Sequence, residues 1–465
     1  MHTHDSSTEV LTEAIVKYAI DRVRLYPPPL DGPRTPGELR AMAGHTITPN
    51  GLGGIEALRV FGDVLAQACI SVDHPRFLAF VPAAPTEASI LFDLVVGASS
   101  IYAGSWLEGG GAAFAENEAL RWIADLAGFP SEAGGVFVSG GTAGNLSALV
   151  AARWAWRHGA DGAFDRTRGL IVASSGAHSS VAQAARVMDA DVFAVEADHT
   201  GRMSGEALHD ALADFNDADR ARLFAIVATG GTTNAGVIDD LAGAADVAEE
   251  HGVWLHVDGA YGAAALAAPS VRSKFNGIER ADSFIVDPHK WLFAPFDCCA
   301  LLYRDPLIGR SAHTQHAEYL DVLHEGGGEH QIDEPWNPSD FAHHLSRRAR
   351  GLPLWFSLAT HGTEAYATAV ESTLQVAHAG ADLVRASAHC ELVVEPELSI
   401  VMFRRLGWMP DQYQVWSDAL LASGEAFVVP TSWHGETVLR ICVVNPLTSV
   451  DDIAFILASL ETDPA

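Results

Sequence analysis

Lysine is the residue that this sequence most nearly lacks. Among 465 residues only Lys17, Lys274 and Lys290 occur, and arginine carries nearly all the other positive charge. The formal net charge is -30, and no stretch of the chain gathers basic residues into a stripe. Nucleic acid is therefore not an expected partner, because proteins that bind it present clustered lysine and arginine.

Cysteine and long apolar runs are also scarce. The five cysteines show no C-x-x-C spacing, and an odd number without such spacing favours a reducing compartment over a disulfide framework. The N-terminus lacks the basic stretch followed by apolar residues that marks a signal peptide. No apolar run approaches the ~20 residues that span a bilayer. We therefore expect a cytoplasmic protein that makes no membrane contact.

The order of apolar segments predicts a layered α/β fold. From about Gly134, short apolar runs alternate with helical stretches, which is typical of a mostly parallel sheet covered on both faces. Two amphipathic helices precede this region, from Glu9 to Leu25 and from Ile55 to Ile70, and a helix from about Pro353 to His389 follows it. We expect an N-terminal helical arm over residues 1–73, a large domain over 74–350 and a small α+β domain over 351–465.

Lys290 stands in the segment Asp287-Pro288-His289-Lys290-Trp291, directly after an apolar run that predicts a short buried strand. Burial disfavours the charged form of lysine, which is how a protein makes an amine nucleophilic. The chemistry that needs such an amine is a Schiff base with a carbonyl, most commonly that of pyridoxal phosphate. A lysine with a solvated head is an equally open interpretation of this segment alone.

Two other strand ends carry residues suited to the same chemistry. Gly140-Gly141-Thr142 follows a strand and opens a helix, and the free N–H groups and dipole of a helix start attract anions. Ser139 stands where a dinucleotide fingerprint needs glycine, so a phosphate monoester fits better than NAD, with an empty tight turn as the alternative. Asp258 ends another strand, where a carboxylate can keep a pyridine nitrogen protonated or can simply cap a helix.

Polar residues at further strand ends extend this set. His178 begins a helix after a strand and can stack on a flat ring, although a lone histidine is more often structural. Thr229 belongs to a Gly/Thr turn that can line the same cleft. The polar stretch from about His313 to His344 predicts a mobile loop. Its histidines at 313, 316, 324 and 330 match no zinc spacing, so we expect no metal.

Taken together, these residues resemble the group II pyridoxal-phosphate decarboxylases, the family of aromatic L-amino-acid, tyrosine, tryptophan and glutamate decarboxylases. The resemblance runs from about His74 into the C-terminal part, and its most specific segments are 289–290 and 296–298. It implies the type I fold of aspartate aminotransferase, with pyridoxal 5'-phosphate as cofactor. It also implies a homodimer with an N-terminal arm and with active sites at the subunit interface.

The resemblance assigns a role to each candidate residue. Lys290 would form the Schiff base with the cofactor, Asp258 would pair with the pyridine nitrogen, and His178 would stack on the ring. Tyr319 falls where the family's mobile loop carries the tyrosine that protonates the carbanion in a neighbouring subunit's site. The expected cofactor-binding residues are Gly141, Thr142, His178, Thr229, Asp258, Ala260, Asp287, His289 and Lys290.

Two departures from the family bear on the site. Asp287 stands where animal aromatic decarboxylases have asparagine near the phosphate, and an extra carboxylate there needs a compensating donor. Tyr102 and Gly104 replace apolar and aromatic residues in the segment that shapes the family's substrate pocket. The residues expected to line that pocket are Phe80, Pro82, Tyr102 and Trp106.

These observations predict an enzyme that decarboxylates an L-amino acid to an amine and CO2. No second charged residue is evident in the expected pocket, which favours an aromatic substrate over glutamate. The first alternative is an aldehyde synthase on the same scaffold. Tyr319 argues against it, because plant examples tend to have phenylalanine there. Further alternatives are an aminotransferase and a non-catalytic scaffold, and the joint presence of Lys290, Asp258 and His178 argues against a scaffold.

Overall fold

The computed structural model describes residues 2–159, 167–320 and 335–464. It begins with the helices Ser6–Arg24, Pro36–Ala43 and Gly54–Val60. Asp5 caps the first of them, because its side chain accepts hydrogen bonds from the N–H groups of Ser7 and Thr8. No residue of this helix is fully buried, although Tyr18 packs on Phe61. Val10, Ile15 and Val16 are exposed and available to another surface.

The periodicity predicted one helix from Ile55 to Ile70, but this segment is not a continuous α-helix. α-Helical hydrogen bonding ends at Val60, and a π-helical turn, Phe61–Leu65, and a 3-10 turn, Ala66–Ala68, follow it. Gly62 stands inside the π-helical turn, and glycine weakens a regular helix.

A seven-stranded sheet forms the centre of the molecule. The strands are β1 (Gly134–Val138), β2 (Leu170–Ser174), β3 (Asp191–Val195), β4 (Leu223–Thr229), β5 (Trp254–Asp258), β6 (Ser283–Val286) and β7 (Cys299–Tyr303). Their order in the sheet is β1-β7-β6-β5-β4-β2-β3, and β7 alone runs antiparallel to its neighbours. The prediction of a mostly parallel sheet is confirmed, but β7 was not foreseen.

Helices cover both faces of this sheet, which explains why its strands are apolar along their whole length. In β4, Ile226 and Ala228 pack into one core, whereas Ala225 and Val227 pack into the core on the other face. The helices of this region are Glu87–Ser99, Trp106–Leu126, Gly141–Arg157, Ser179–Met188, Gly205–Ala213, Asp217–Arg222, Leu241–His251, Pro288–Trp291 and Pro306–His313.

The C-terminal part adds a second, antiparallel sheet with the order β10-β11-β9-β8. One helix was predicted before it, but Gly362 divides that segment in two, because its φ of 79° cannot continue a helix. The elements are the helices Leu352–His361, Thr363–Ala386, Pro410–Ala422 and Val450–Ser459 and the strands β8 (Cys390–Val394), β9 (Ile400–Arg405), β10 (Pro430–Trp433) and β11 (Glu436–Cys442). Among all helices that the structure describes, none is long and apolar enough to cross a membrane.

A buried ion pair joins the end of the large sheet region to the helix before β1. The Arg347 guanidinium donates to both carboxylate oxygens of Glu116, at 2.7 and 3.0 Å, and to the carbonyls of Ala103 and Phe137. The side chains of both partners are 3% exposed or less. Glu116 also accepts the N–H of Gly351 at 2.8 Å. The pair thus fixes the chain where it leaves the sheet for the C-terminal helices.

Arg347→Ala should lower the free energy of unfolding by about 3–5 kcal/mol, because it leaves Glu116 buried without its cation. Urea denaturation followed by tryptophan fluorescence measures the change. Arg385→Ala is the matched control, since Arg385 pairs with Asp382 and Glu395 in exposed ion pairs, which contribute less than ~1 kcal/mol. Equal losses in the two variants would contradict the structural role of the buried pair.

Candidate active site

A cleft of about 560 Å³ opens at the carboxyl ends of the parallel strands, where ligands bind in sheets of this kind. The turn after β1 and the ends of β2, β4, β5 and β6 all contribute to it. The structure thus brings together residues that are far apart in the sequence. Its lining includes all nine expected cofactor-binding residues: Gly141, Thr142, His178, Thr229, Asp258, Ala260, Asp287, His289 and Lys290.

A larger cavity, of about 690 Å³, lies at the opposite ends of the same strands. Phe224, Trp254 and Asp282 line it at or just before the starts of β4, β5 and β6. It contains none of the candidate residues, so the cleft at the carboxyl ends is the candidate active site.

Lys290 occupies the short helix Pro288–Trp291 that follows β6. Its Nζ atom lies 3.0 Å from Oδ2 of Asp287, whose side chain is almost fully buried. Burial by itself lowers the pKa of the Lys290 ammonium, but Asp287 and, to a smaller extent, Asp258 outweigh it, so the pKa is raised. The expectation that burial makes this amine neutral is therefore wrong, because a carboxylate one helical turn away compensates the lost hydration.

Asp258 ends β5 and is held by an amide that the sequence analysis missed. Nδ2 of Asn145 donates to Oδ2 of Asp258 and to Oγ of Ser180, both at 2.8 Å. Oγ of Ser180 in turn lies 2.8 Å from Nδ1 of His178, and the backbone N–H of Ser180 donates to the same nitrogen. Because Nδ1 of His178 is an acceptor, the proton of the neutral ring resides on Nε2.

His256, which lies in the middle of β5, extends this buried network. Its Nε2 donates to Oδ1 of Asn145, and its Nδ1 contacts Oγ of Ser283, both at 2.8 Å. Ser283 also accepts the indole N–H of Trp254 at 2.8 Å. Burial lowers the pKa of His256 to about 4, although Asp258 acts in the opposite direction. A neutral His256 thus fixes the amide of Asn145, which orients Asp258.

A signal for these missed residues was present in the sequence. Asn145 is a polar residue on the apolar face of the helix Gly141–Arg157, beside Gly144 and Ala148. His256 interrupts an apolar strand. Buried polar groups need partners, so each position indicated a hydrogen-bonded network, although not which residues it joins.

The turn after β1 forms an open corner at the start of the helix Gly141–Arg157. Gly140 adopts a φ of 147°, and no side chain caps the helix, so its first N–H groups remain available to an anion. A Cβ atom on Gly141 would approach Ala260 Cβ to 3.2 Å and Asp287 Oδ2 to 3.3 Å. Glycine therefore keeps this corner open.

Two buried oxygen atoms in the cleft have no hydrogen-bond partner among the described residues. They are Oγ1 of Thr229 and Oδ1 of Asp287. A buried polar atom without a partner is costly unless a ligand or water satisfies it. With the open helix start, the carboxylate of Asp258 and the amine of Lys290, they form a site that fits pyridoxal phosphate.

Two histidines lie at the rim of this corner. Nδ1 of His289 lies 2.7 Å from the Cys298 carbonyl, and burial lowers the pKa of this imidazole. His343 lines the cleft and contacts Ser147 at 3.1 Å. Its position was not foreseen. Burial lowers the pKa of His343 as well, so neither ring is a strong cation near pH 7.

The four expected pocket residues do not line this cleft within a single chain. Phe80 is 59% exposed, and Pro82 is buried beside it. Tyr102 donates its hydroxyl to the Leu345 carbonyl at 3.0 Å. Trp106 packs into the core on one face of the large sheet. The pocket assignment therefore stays a prediction.

Part of the expected loop lies outside the described residues, including His324 and His330. The side chain of Tyr319 is also outside them, whereas the backbone of Tyr319 belongs to the 3-10 turn Glu318–Leu320. His313 contacts the carbonyl of Ser147 at 3.0 Å. Within the described ranges no group of three or more histidine, cysteine, aspartate or glutamate residues is arranged to hold a metal ion.

Comparison with known proteins identifies the class that this site defines. Residues 56–406 match the model of the pyridoxal-dependent decarboxylase conserved domain. The chain therefore belongs to the pyridoxal-dependent decarboxylase family. Pyridoxal phosphate is its cofactor, and it is an amino-acid decarboxylase, as the resemblance implied.

Similar proteins span nearly the whole chain. It is 29% identical to an aromatic-L-amino-acid decarboxylase of Bacillus atrophaeus, over 91% of this chain and 88% of the relative. It is 31% identical to an L-2,4-diaminobutyrate decarboxylase of Rhizobium meliloti (strain 1021), over 88% and 82%. The solved structure of Oryza sativa TDC with PLP and tryptamine superposes with a TM-score of 0.89 at 25% identity, over 99% of this chain and 98% of that one. The type I fold is confirmed.

His256→Asn should change how stability depends on pH. The neutral His256 of the folded protein has a pKa of about 4 against an ordinary 6.5, so between these values the unfolded chain binds a proton that the folded protein does not. The free energy of unfolding therefore falls as pH falls through this window, by up to ~1.4 kcal/mol per pH unit. The variant lacks this contribution.

The difference in unfolding free energy between wild type and variant should thus shrink as pH is lowered from about 6.5 to about 4. Urea denaturation at a series of pH values measures it. His209→Asn is the control for loss of an exposed histidine outside the buried network. A difference between wild type and His256→Asn that does not change with pH would contradict a neutral buried imidazole.

Proposed function

We propose that this enzyme converts an aromatic L-amino acid to the corresponding amine and CO2, with Lys290 as the lysine that binds the cofactor. The assignment of Lys290 rests on one observation: Lys290, Asp258, His178 and the open helix start line the same cleft. The described part of the chain contains no other lysine in this lining.

The charges of the cleft support an aromatic over an acidic substrate. Its acidic side chains are Asp258, Asp287 and Asp297, and Lys290 is the single lysine or arginine among the described residues that line it. A carboxylate on the substrate's side chain would lie near these aspartates, and the lining would offer it no cationic side chain besides Lys290. Glutamate is therefore disfavoured, because an unpaired buried charge is strongly destabilising.

A basic substrate such as 2,4-diaminobutyrate is the second candidate. The carboxylate of Asp297 lines the cleft and is 43% exposed, although Arg350 contacts it at 2.8 Å. An ammonium group on the substrate could share that carboxylate. The similarity to a diaminobutyrate decarboxylase points in the same direction.

The side chains divide the work of the reaction. Pyridoxal phosphate, when bound, supplies an electron sink for the electrons left behind by departing CO2. Asp258, oriented by Asn145, would hold the proton of the pyridine nitrogen, and His178 would stack on the ring. Thr142 and the helix start would bind the phosphate. Lys290 would hold the cofactor until the substrate amine takes its place, and Tyr319 would deliver a proton to the substrate's Cα.

We also propose a cytoplasmic homodimer with active sites at the subunit interface. No residue of the first helix is fully buried within its own chain, and Val10 is 55% exposed. Leu94, Leu107 and Phe114 are exposed by 50%, 68% and 58% on the helices around the segment 100–105. A partner covering them would bring Tyr102 and Trp106 towards a neighbouring site. We likewise propose that the chain divides into an N-terminal arm, a large domain and a small domain, with boundaries after residues 73 and 350.

The substrate is identified by incubating the purified protein and pyridoxal phosphate with each standard L-amino acid and with 2,4-diaminobutyrate. Amine and CO2 should appear in equal amounts with an aromatic amino acid. Release from 2,4-diaminobutyrate alone would overturn the aromatic assignment. Lys290→Ala should lose the visible absorbance of the bound cofactor and more than ~100-fold in turnover, whereas Lys274→Ala should retain both.

In aerated buffer, Tyr319→Phe should lower amine formation and raise the yield of aldehyde, ammonia and hydrogen peroxide. The phenol that protonates Cα is missing, so dissolved O2 can oxidise this carbon instead. Chromatography of products and a peroxide assay measure the ratio. Tyr303→Phe is a suitable control, since Tyr303 is buried in the sheet core. An unchanged product ratio in Tyr319→Phe would remove this tyrosine from the proposed reaction.

A further inference from the structure

Position 287 places a carboxylate directly against the amine of Lys290. Asp287 is 2% exposed, and its Oδ2 lies 3.0 Å from Nζ. The backbone fixes both residues, because the N–H of Asp287 donates to the Ala260 carbonyl and the N–H of Lys290 donates to the Asp287 carbonyl, each at 2.9 Å. The turn after β6 thus holds the two side chains together.

Other groups around Asp287 do not supply a cation in the described part of the chain. Nε2 of His289 lies 3.7 Å from Oδ2, but burial lowers the pKa of this ring. For the Cys298 and Cys299 thiols, burial instead raises the pKa, so both thiols remain uncharged. Among the described residues, Lys290 is accordingly the partner that balances the charge of Asp287.

The groups facing Lys290 act in opposite directions. Burial lowers the pKa of its ammonium, whereas Asp287 raises it most and Asp258 raises it less. The net direction is upward. An opposite charge within hydrogen-bonding distance outweighs the loss of hydration here.

We propose that Asp287 is a positioning residue that holds the free side chain of Lys290 as an ammonium inside the cleft. In this state Lys290 does not attack a carbonyl, because only the neutral amine is nucleophilic. An asparagine at position 287 could still accept a hydrogen bond from Nζ of Lys290 but could not balance its charge.

The consequence for turnover rests on the proposed role of Lys290 as the cofactor lysine. When the substrate takes the place of Lys290, the freed amine would keep the proton that the substrate's ammonium group gives up and would stay beside Asp287. The charged lysine would not compete with the substrate amine for the cofactor. It would return only when that proton passes to the departing product amine.

Pulse acetylation with acetic anhydride tests this pairing, because the reagent reacts with a lysine amine only in its neutral form. The full-length protein is freed of cofactor by dialysis against cysteine, and recovery of the visible absorbance on reloading shows that the cleft is intact. Labelling of each lysine is followed by peptide mass spectrometry from about pH 7 to about pH 11, around the ordinary lysine pKa. Lys17 and Lys274 serve as internal references.

In the wild type, the labelling midpoint of Lys290 should lie above that of Lys274. In Asp287→Asn it should fall by about one pH unit or more, which raises labelling at about pH 9 roughly tenfold. Asp297→Asn is the matched control, since Asp297 lines the same cleft but pairs with Arg350. It should leave the Lys290 midpoint unchanged.

Equal midpoints for Lys290 in wild type and Asp287→Asn would overturn the proposal. A wild-type midpoint at or below that of Lys274 would overturn it too, and this comparison decides the matter if the variant does not fold. Labelling of the cofactor-loaded protein separates the two hypotheses. If bound cofactor fails to protect Lys290, the proposed function fails, whereas the result on Asp287 in the cofactor-free protein stands.

Discussion

The site depends on one buried amide. Asn145 accepts from His256 through its oxygen and donates to Asp258 and Ser180 through its nitrogen, so it makes three hydrogen bonds at once. The amide cannot rotate without breaking all of them, and each broken bond would leave a buried polar group without a partner. It therefore fixes the direction of the Asp258 carboxylate and, through Ser180, the tautomer of His178.

Much of the fold and of the site could be predicted because parallel strands place their ends at one edge. Asp258, Lys290 and His178 each follow an apolar run, and all three meet in the cleft. The partners of Asp258 could not be predicted in the same way. Asn145 and Asp258 are 113 positions apart, and only the packing of a helix against β5 shows that they touch.

Two other differences have local causes. The charge state of Lys290 was misjudged because burial was weighed without Asp287, even though the spacing of three residues within a turn was visible. β7 was missed because it follows the lysine segment without a crossover helix, which is the pattern that revealed the other strands. Both errors came from judging a segment without its neighbour.

The placement of β7 also has a consequence for how the protein is made. β1 pairs with β7 and with no other strand that the structure describes. β1, which leads into the helix Gly141–Arg157, therefore lacks its complete partner strand until residue 303 has been synthesised. On a ribosome the first half of the chain would expose an unpaired apolar strand, which is prone to aggregation. About 165 residues separate the end of β1 from the end of β7, so this strand waits long for its partner during synthesis.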